Sequence, residues 1–235
     1  MTSRDRLIVA LDASSLSDAL ATARALRGLV KTVKVGSALF TACGPAAVQR
    51  LRALGFQVML DLKFFDIPNT VEQSCRAAVH HHVSMLTVHA SGHPDMLRAA
   101  VLGVRTEARR RGIPRPLVLG VTVLTSVGHG RSSGVVSDVL RLAQAAWRVG
   151  CDGVVASAHE VAALRRRFGR RLRIVCPGIR LGQTSGDGQR RVATPREAVA
   201  AGADFLVVGR PITTAYNPRT VVHTLLRDME AVDAC

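Results

Sequence analysis

Two oppositely charged residues stand at the end of an apolar run in the first third of the chain. Asp61 and Lys63 follow Val58-Met59-Leu60, and Asp66 comes three residues later. Successive side chains of a strand point to opposite faces, so Asp61 and Lys63 would share one face of a strand. Burying charge costs free energy unless the charges are paired. The spacing therefore predicts either a structural ion pair or a carboxylate and an ammonium that are held together for chemistry.

Lysine is rare in this chain, which makes the position of each lysine informative. Lys31, Lys34 and Lys63 are the three lysines among 32 basic residues. Arginine keeps its proton in proteins, whereas the pKa of a lysine can be tuned. Lys34 lies between Val33 and Val35 and would face away from both. Lysines within two strand-like runs indicate proton transfer or a compact point charge, whereas Lys31 precedes its strand and is predicted to lie at the surface.

The rest of the chain alternates between strand-like and helix-like segments. Eight apolar runs of the β type begin near residues 6, 32, 57, 85, 116, 153, 173 and 205. The predicted helices are Ser17–Leu29, Pro45–Leu54, Asn69–His82, Pro94–Arg111, Val135–Val149, Glu160–Phe168, Pro195–Ala201 and Pro218–Val232. Parallel strands need such crossovers, so the pattern predicts a single (β/α)8 TIM-barrel domain over residues 1–235. A doubly wound open sheet is the alternative, although no GxGxxG follows the first strand.

In a barrel of this type, the charged residues come together. Active sites of (β/α)8 barrels lie at the carboxyl ends of the strands. Asp12 ends strand one, Lys34 lies near the end of strand two, and Asp61 and Lys63 end strand three. Adjacent strands are less than about 5 Å apart, so the four side chains should alternate as Asp, Lys, Asp, Lys and offset one another's desolvation.

The opposite side of the barrel is predicted to bind an anion. Pro177-Gly178-Ile179-Arg180 follows strand seven, and Gly209-Arg210 follows strand eight. Loops after these two strands often bind phosphate, since glycine exposes backbone N–H groups and arginine offers a bidentate fork. The segment 181–191 is rich in Gly, Ser, Thr and Gln, and is predicted to form a lid that closes on the ligand.

Composition limits the other classes of function. The net charge is +15, but the arginine clusters fall late in helix-like segments, where cations are favoured, and no basic stretch alternates with stacking aromatic residues. We therefore expect no nucleic-acid partner. No apolar run approaches the roughly 18 residues of a membrane helix, and no secretory segment precedes the first strand. The five cysteines show no CxxC or metal-ligand spacing, which favours a cytoplasmic protein without a metal site.

Together these motifs resemble the orotidine 5′-phosphate decarboxylase family over nearly the whole chain. The most specific matches are Asp61-Leu-Lys-Phe-Phe-Asp-Ile-Pro-Asn-Thr70, Val33-Lys-Val-Gly36, Pro177-Gly-Ile-Arg180 and Val208-Gly-Arg-Pro211. The resemblance implies conversion of orotidine 5′-monophosphate (OMP) to UMP and CO₂ without a cofactor, the last step of de novo pyrimidine synthesis. It also implies a homodimer with shared active sites. His82 departs from the pattern, because the family commonly has glycine there.

The resemblance also implies roles for individual residues. Lys63 would protonate C6 of the pyrimidine, with Asp61 beside the substrate carboxylate and Asp66 supplied by the other subunit. Lys34 and Asp12 would bind the ribose hydroxyls. The remaining expected contacts are Thr70 across the dimer, Thr125 on the pyrimidine, and Arg180, Gln189, Gly209 and Arg210 on the phosphate.

Two alternative functions stay open at this point. A related phosphosugar enzyme, a 3-keto-gulonate 6-phosphate decarboxylase or a hexulose-phosphate synthase, would share the Asp-x-Lys-x-x-Asp pattern but use magnesium. Those enzymes usually have an acidic residue in place of Lys34. The other alternative is a non-catalytic barrel that binds nucleic acid or another anion.

Overall fold

The computed structural model describes residues 1–126, 133–182 and 191–232. Through these residues run eight strands: β1 (Leu7–Ala10), β2 (Thr32–Gly36), β3 (Gln57–Phe64), β4 (Met85–His89), β5 (Leu117–Val121), β6 (Gly153–Val155), β7 (Arg173–Cys176) and β8 (Phe205–Val208). The helices in the same residues are α1 (Ser3–Arg6), α2 (Leu16–Leu26), α3 (Ser37–Cys43), α4 (Pro45–Ala53), α5 (Pro68–His80), α6 (Pro94–Arg111), α7 (Ser133–Arg148), α8 (Ala158–Phe168), α9 (Pro195–Ala200), α10 (Arg210–Thr213) and α11 (Pro218–Glu230). A 3₁₀ turn spans Gly169–Arg171.

The strands close into a barrel in sequence order. Each strand is parallel to its neighbours, and β1 pairs with both β2 and β8. The predicted (β/α)8 barrel is therefore confirmed, and the open doubly wound sheet is excluded because an open sheet would leave β1 and β8 unpaired with each other.

The two-residue period of the strands produces two apolar layers, one inside the barrel and one between the strands and the helices. Residues such as Val9, Val33 and Val58 point outward and pack in the large core beneath the helices. The inward-facing layer consists of Ile8, Ala10, Met59, Met85, Leu119, Val175, Phe205 and Val207. Asp12 and Asp61 follow Ala10 and Met59 by two residues, so they face inward as well, closer to the carboxyl ends of the strands. The inner apolar layer therefore forms the floor beneath the charged residues.

Several helices end close to glycines with positive φ, and some of them are therefore shorter than predicted. The helix predicted to reach Leu29 ends at Leu26, because Gly28 takes a φ of +79°. Gly112 ends α6 in the left-handed conformation, as predicted. His82 adopts a φ of +54° just after α5, which explains why glycine suits this position. Helices α1, α3 and α10 were not predicted, since each has only four to seven residues.

Helices α5 and α6 pack closely beside β3 and β4. A Cβ at Gly103 of α6 would lie 2.8 Å from the backbone oxygen of Glu72 of α5, so the two helices approach closely at this glycine. Near their carboxyl ends, the buried Glu107 accepts from Arg110 and Arg111, and His80 Nε2 lies 2.7 Å from its Oε1. This packing fixes the helix that leads directly out of β3. None of the helices in the described residues is long and apolar enough to cross a membrane.

Candidate active site

Four charged side chains meet at the carboxyl ends of β1, β2 and β3. Lys34 Nζ lies 2.9 Å from Asp12 Oδ1 and 3.4 Å from Asp61 Oδ2, and Lys63 Nζ lies 2.9 Å from the same Asp61 oxygen. The charges therefore alternate along the group as Asp12, Lys34, Asp61, Lys63. This set is called the charged array below. Each buried charge contacts an opposite one, which offsets the cost of removing it from water.

Exposure differs strongly among the members of the charged array. The side chains of Lys34 and Asp61 are 10% and 12% exposed, whereas that of Asp12 is 55% exposed. Burial alone would raise the pKa of Asp61, but the nearby charges of Lys34 and Lys63 and hydrogen bonds from Lys63 and Thr87 bring the pKa below its usual value. Asp61 is therefore ionised at neutral pH, although it is largely buried.

A histidine at the end of β4 experiences the same charges. Burial lowers the pKa of His89, the charge of Lys63 lowers it further, and Asp61 acts in the opposite direction. The His89 ring also packs edge-on against Phe65, with ring centroids 5.7 Å apart. His89 is therefore neutral at pH 7 and adds no positive charge beside Lys63.

A cavity of about 330 Å³ extends from the charged array across the top of the barrel. All four members of the charged array line it at one end. Beside β7 and β8, at what is called the cationic end below, its walls are formed by glycines and arginines that follow these two strands. These are Gly178, Arg180, Gly209 and Arg210. Between the two ends lie apolar and hydroxyl side chains, which are those of Val121, Val123, Thr125, Ser126 and Val155. The cavity thus combines the charged array with a cationic end beside β7 and β8 and with largely apolar walls.

Some of the residues predicted for the site lie elsewhere in the described structure. Asp66 and Thr70 are exposed and do not line the cavity of their own chain. The Asp66 carboxylate accepts the backbone N–H of Ile67 at 2.6 Å. Gln189 lies outside the described residues, as does most of the predicted lid. The lid prediction is wrong at Arg191, because this residue is fully buried and pairs with Glu160 at 2.6 Å.

Comparison with known proteins shows which family this chain belongs to. The model of the "Orotidine 5'-phosphate decarboxylase / HUMPS family" matches residues 5–225. The chain belongs to this family. A protein named orotidine 5′-phosphate decarboxylase from Nitratidesulfovibrio vulgaris strain DP4 is 44% identical over 96% of this chain and 98% of its own length. One of the same name from Legionella pneumophila strain Paris is 46% identical over 95% of this chain and 99% of its own.

Solved structures agree with this membership of the orotidine 5′-phosphate decarboxylase / HUMPS family. The crystal structure of orotidine 5′-phosphate decarboxylase from Lactobacillus acidophilus is similar, with a TM-score of 0.83 and 33% identity, covering 96% of this chain and 99% of that one. An uncharacterized conserved protein from Geobacillus kaustophilus gives a TM-score of 0.81 with 34% identity over 95% and 99% of the two chains.

Thr87 supports the charged array of this family member and was missed by the sequence analysis. Its hydroxyl donates to Asp61 Oδ1 at 2.9 Å and accepts the backbone N–H of Lys63 at 3.0 Å. Lys63 has a φ of +51°, and the β3–β4 register shifts between Leu60 and Phe64. Non-glycine residues with positive φ are uncommon and strained, so Thr87 holds Lys63 in a costly conformation. The only signal in the sequence is a threonine inside an apolar strand.

Gly36 makes room for the charged array at the end of β2. A Cβ at this position would lie 2.8 Å from Asp12 Oδ1 and 2.9 Å from Lys34 Nζ. Any side chain larger than hydrogen would therefore press on the pair that these two residues form. In the sequence, Gly36 stands out only as part of the family motif, because a glycine carries no signal of what a side chain at its position would touch.

Proposed function

We propose that this protein is an orotidine 5′-phosphate decarboxylase, which converts OMP to UMP and CO₂ without a cofactor in de novo pyrimidine synthesis. The observation that carries the proposal is that one cavity holds both the charged array and, beside β7 and β8, Arg180 and Arg210. This polarity matches a nucleotide whose pyrimidine carboxylate and phosphate lie at opposite ends. Relatives that share 44–48% of the sequence carry the name of this enzyme, which supports the same activity.

Lys63 acts at the reacting carbon. When the bond between C6 and the carboxylate breaks, its electron pair stays on C6, and CO₂ leaves. The Lys63 ammonium stabilises this developing carbanion and then transfers a proton to C6, which gives UMP and a neutral lysine that regains its proton from solvent. The contact with Asp61 keeps the ammonium in place before the reaction. Such preorganisation means that little reorientation is needed in the transition state.

Asp61 acts on the substrate carboxylate. Its lowered pKa keeps it ionised, and in the substrate complex a second negative charge would lie beside it. Repulsion between the two carboxylates destabilises the bound substrate and disappears as CO₂ leaves. Lys34, which bridges Asp61 and Asp12, keeps Asp61 from turning away.

The remaining contacts bind and orient the nucleotide. Lys34 and Asp12 hydrogen-bond the ribose hydroxyls, and Thr125 contacts the pyrimidine. The phosphate is held by Arg180, Gln189, Gly209 and Arg210. Binding energy at the phosphate, remote from C6, then compensates for strain at the reacting carboxylate. The largest rate accelerations by enzymes are about 10¹⁷-fold or more, which corresponds to roughly 23 kcal/mol, and such a value would require these terms together.

The active enzyme is a homodimer in which Asp66 and Thr70 reach into the partner's site. Both residues are exposed and follow directly after β3, the strand that carries Asp61 and Lys63. The apolar neighbours of Asp66 support an interface here, because Phe65 and Ile67 are 60% and 65% exposed. Large apolar side chains that are exposed next to one another often mark a protein contact.

A reducing cytoplasm is the proposed location. Cys75, Cys151 and Cys176 are buried free thiols, and burial raises the pKa of Cys75 and of Cys151 to about 12. Such thiols are unreactive core residues.

The test separates this activity from the magnesium-dependent phosphosugar chemistry of related enzymes. Purified protein is mixed with OMP in excess EDTA, and loss of the orotate absorbance band is followed together with UMP formation. In parallel, 3-keto-gulonate 6-phosphate and hexulose phosphate are offered with added magnesium. We expect turnover of OMP alone, since the Lys34 ammonium already lies between the two carboxylates Asp12 and Asp61. Turnover of a phosphosugar without OMP turnover would overturn the proposal.

The alternative that the protein is a non-catalytic barrel that binds nucleic acid is tested with the same purified protein. Binding of duplex DNA that weakens steeply with added salt would support that alternative if OMP is not turned over. We expect OMP turnover and no such binding.

A further inference from the structure

A buried ion pair behind the cavity joins segments that follow three different strands. Arg191 Nη1 donates to Glu160 Oε1 at 2.6 Å, and Nη2 donates to the carbonyl oxygens of Val123 and Leu124 at 3.1 and 3.3 Å. The side chains of Arg191 and Glu160 are 0% and 1% exposed. Neither lines the cavity, whereas Val123 and Leu124 both do. The guanidinium therefore binds the outer side of a cavity wall.

The backbone around Arg191 is itself fixed to the end of β7. Arg180 N–H donates to the carbonyl of Ala193 at 2.9 Å, and Ala193 N–H donates to the carbonyl of Gly178 at 3.3 Å. Gly178 and Arg180 lie at the cationic end of the cavity. Arg191 thus reaches from the cationic end across to the wall that carries Thr125.

The third anchor of this arrangement is the start of α8, beyond β6. Glu160 Oε2 accepts the backbone N–H of the fully buried Ser157, which caps the helix. One carboxylate oxygen therefore faces the helix start and the other faces Arg191. This leaves Glu160 little freedom to turn. Arg191 is therefore fixed both by the hydrogen bonds of the backbone around it and by its ion pair with Glu160.

Fold stability alone does not account well for an arginine at this position. Within the described part of the chain its Nε has no hydrogen-bond partner, although it is buried. Unsatisfied buried donors and buried ion pairs are often no better for stability than apolar side chains of similar size. What the guanidinium provides, and an apolar side chain would not, is three directed hydrogen bonds to two other segments of the site.

We propose that Arg191 is a positioning residue for the decarboxylation. Through Glu160 and the carbonyls of Val123 and Leu124, it fixes the wall that places Thr125 against the pyrimidine. The proposal rests on the proposed function. Displacement of a site group by about 1 Å can cost about a hundredfold in rate, so a wall held by one side chain matters for turnover.

The test compares Arg191→Met with a matched variant elsewhere in the barrel. Methionine fills similar space without donors. The control is Arg165→Met, because Arg165 also forms a largely buried pair, with Asp204 at 2.5 Å, and donates to the backbone of Gly202 and Leu172 at the end of the barrel away from the cavity. Both variants lose a paired arginine, but only Arg191→Met releases the cavity wall.

Two readouts are measured well below the melting temperature of the less stable variant. The first is kcat and KM for OMP per folded enzyme. The second is hydrogen–deuterium exchange of the backbone amides in residues 122–126, which does not depend on activity. We expect Arg191→Met to lower kcat/KM by tenfold to a hundredfold and to speed exchange in this segment. Arg165→Met should leave kcat/KM within about twofold of the wild type. Arg191→Lys, which keeps the charge but has fewer donors, should fall between Arg191→Met and the wild type.

A second variant covers the case in which Arg191→Met does not fold. Arg191→Met/Glu160→Gln removes the unpaired buried carboxylate as well, and should fold while keeping the catalytic loss and the faster exchange. Wild-type kinetics and exchange in either folded variant would overturn the proposal. Absence of OMP turnover by the wild-type protein would instead overturn the proposed function, and the exchange comparison would still decide whether Arg191 fixes residues 122–126.

Discussion

At the scale of single residues, the charged array is held together by the alternation of carboxylates and ammonium groups. Lys34 contacts two carboxylates and Asp61 contacts two ammonium groups, so each of the two most buried members is held by two opposite charges. Thr87 and Gly36 complete the arrangement, one by hydrogen bonds and the other by leaving space. The reactive geometry is therefore fixed before substrate arrives.

Gly36→Ala tests whether this geometry limits catalysis. The new methyl group would press on the Asp12–Lys34 pair, so we expect kcat/KM for OMP to fall about tenfold to a hundredfold. Crowding should also lower the free energy of unfolding by about 1–3 kcal/mol. The control is Gly134→Ala in α7, where a Cβ meets no atom of the described residues beyond its own helix turn within 4 Å. Unchanged kcat/KM in folded Gly36→Ala would show that the position of this pair is not limiting.

The sequence predicted the charged array but not the residues that hold it. Asp12, Lys34, Asp61 and Lys63 were predictable, because charge in an apolar strand is costly and strand alternation fixes which face it occupies. Thr87, Gly36 and Arg191 were not, because their roles depend on which atoms lie nearby in the fold. Arg191 was assigned to a lid from the composition of its neighbours, and the structure places it in the core.

At the scale of elements, most strands carry an inward-facing residue that lines the cavity, such as Lys34 on β2, Val121 on β5 and Val207 on β8. The strand order was predictable from the alternation of apolar runs and capped helices. The length of α2 and the presence of the short helices were not predictable. A glycine that adopts a positive φ can end a helix even where the composition of the following residues would allow it to continue.

The close contact of α5 and α6 predicts a strong effect of one methyl group. Gly103→Ala would place a Cβ 2.8 Å from the Glu72 carbonyl oxygen, so the helices must separate. We expect the free energy of unfolding to fall by about 1–3 kcal/mol, measured by urea denaturation. Gly134→Ala should instead be neutral or stabilise the protein by up to about 1 kcal/mol, because alanine favours helix. Equal effects of the two variants would contradict the close packing.

Glu107 predicts how this helix pair responds to acid. The hydrogen bond from Arg110, with further help from Arg111, lowers the pKa of Glu107 to about 2. A carboxyl with a lowered folded-state pKa contributes stability above its ordinary pKa of 4.5, and this contribution is lost as pH falls from about 4.5 towards 2. The stability difference between wild type and Glu107→Gln should therefore be largest near pH 6 and shrink by pH 3. It can be followed by urea denaturation at each pH.

The control for this prediction is Glu72→Gln, which removes a more exposed carboxylate from the neighbouring helix. It should change stability less than Glu107→Gln at pH 6. A Glu107→Gln difference that is the same at pH 3 and pH 6 would contradict the assigned pKa.

At the scale of the whole molecule, the positive charge is divided between two ends of the barrel. The clusters at 109–111 and 165–167 occupy the last turns of α6 and α8, as predicted, and therefore lie at the end opposite the cavity. There they complement the helix dipoles. Attraction of an anionic nucleotide to the cavity rests instead on the lysines and arginines that line it.

Shared active sites predict complementation between two inactive variants. Lys63→Ala and Asp66→Ala homodimers should each be nearly inactive. Mixed subunits should recover up to about a quarter of wild-type activity, because a randomly mixed population is half heterodimer and each heterodimer contains one intact site. Activity is measured after refolding the two together, with heterodimers verified by differently tagged chains. No recovery in verified heterodimers would indicate that Asp66 acts within its own chain.

Metal-free decarboxylation of OMP depends above all on Lys63 in the charged array. The most direct test is the rate of CO₂ release from OMP in excess EDTA for wild type, Lys63→Ala and Lys31→Ala. Lys31 is a surface lysine that pairs with Asp5 at 3.5 Å, so its variant controls for loss of one lysine. We predict wild-type rates for Lys31→Ala and a loss of at least about a thousandfold for folded Lys63→Ala. Equal rates for all three proteins would contradict the role of Lys63, and no CO₂ release by the wild type would contradict the function itself.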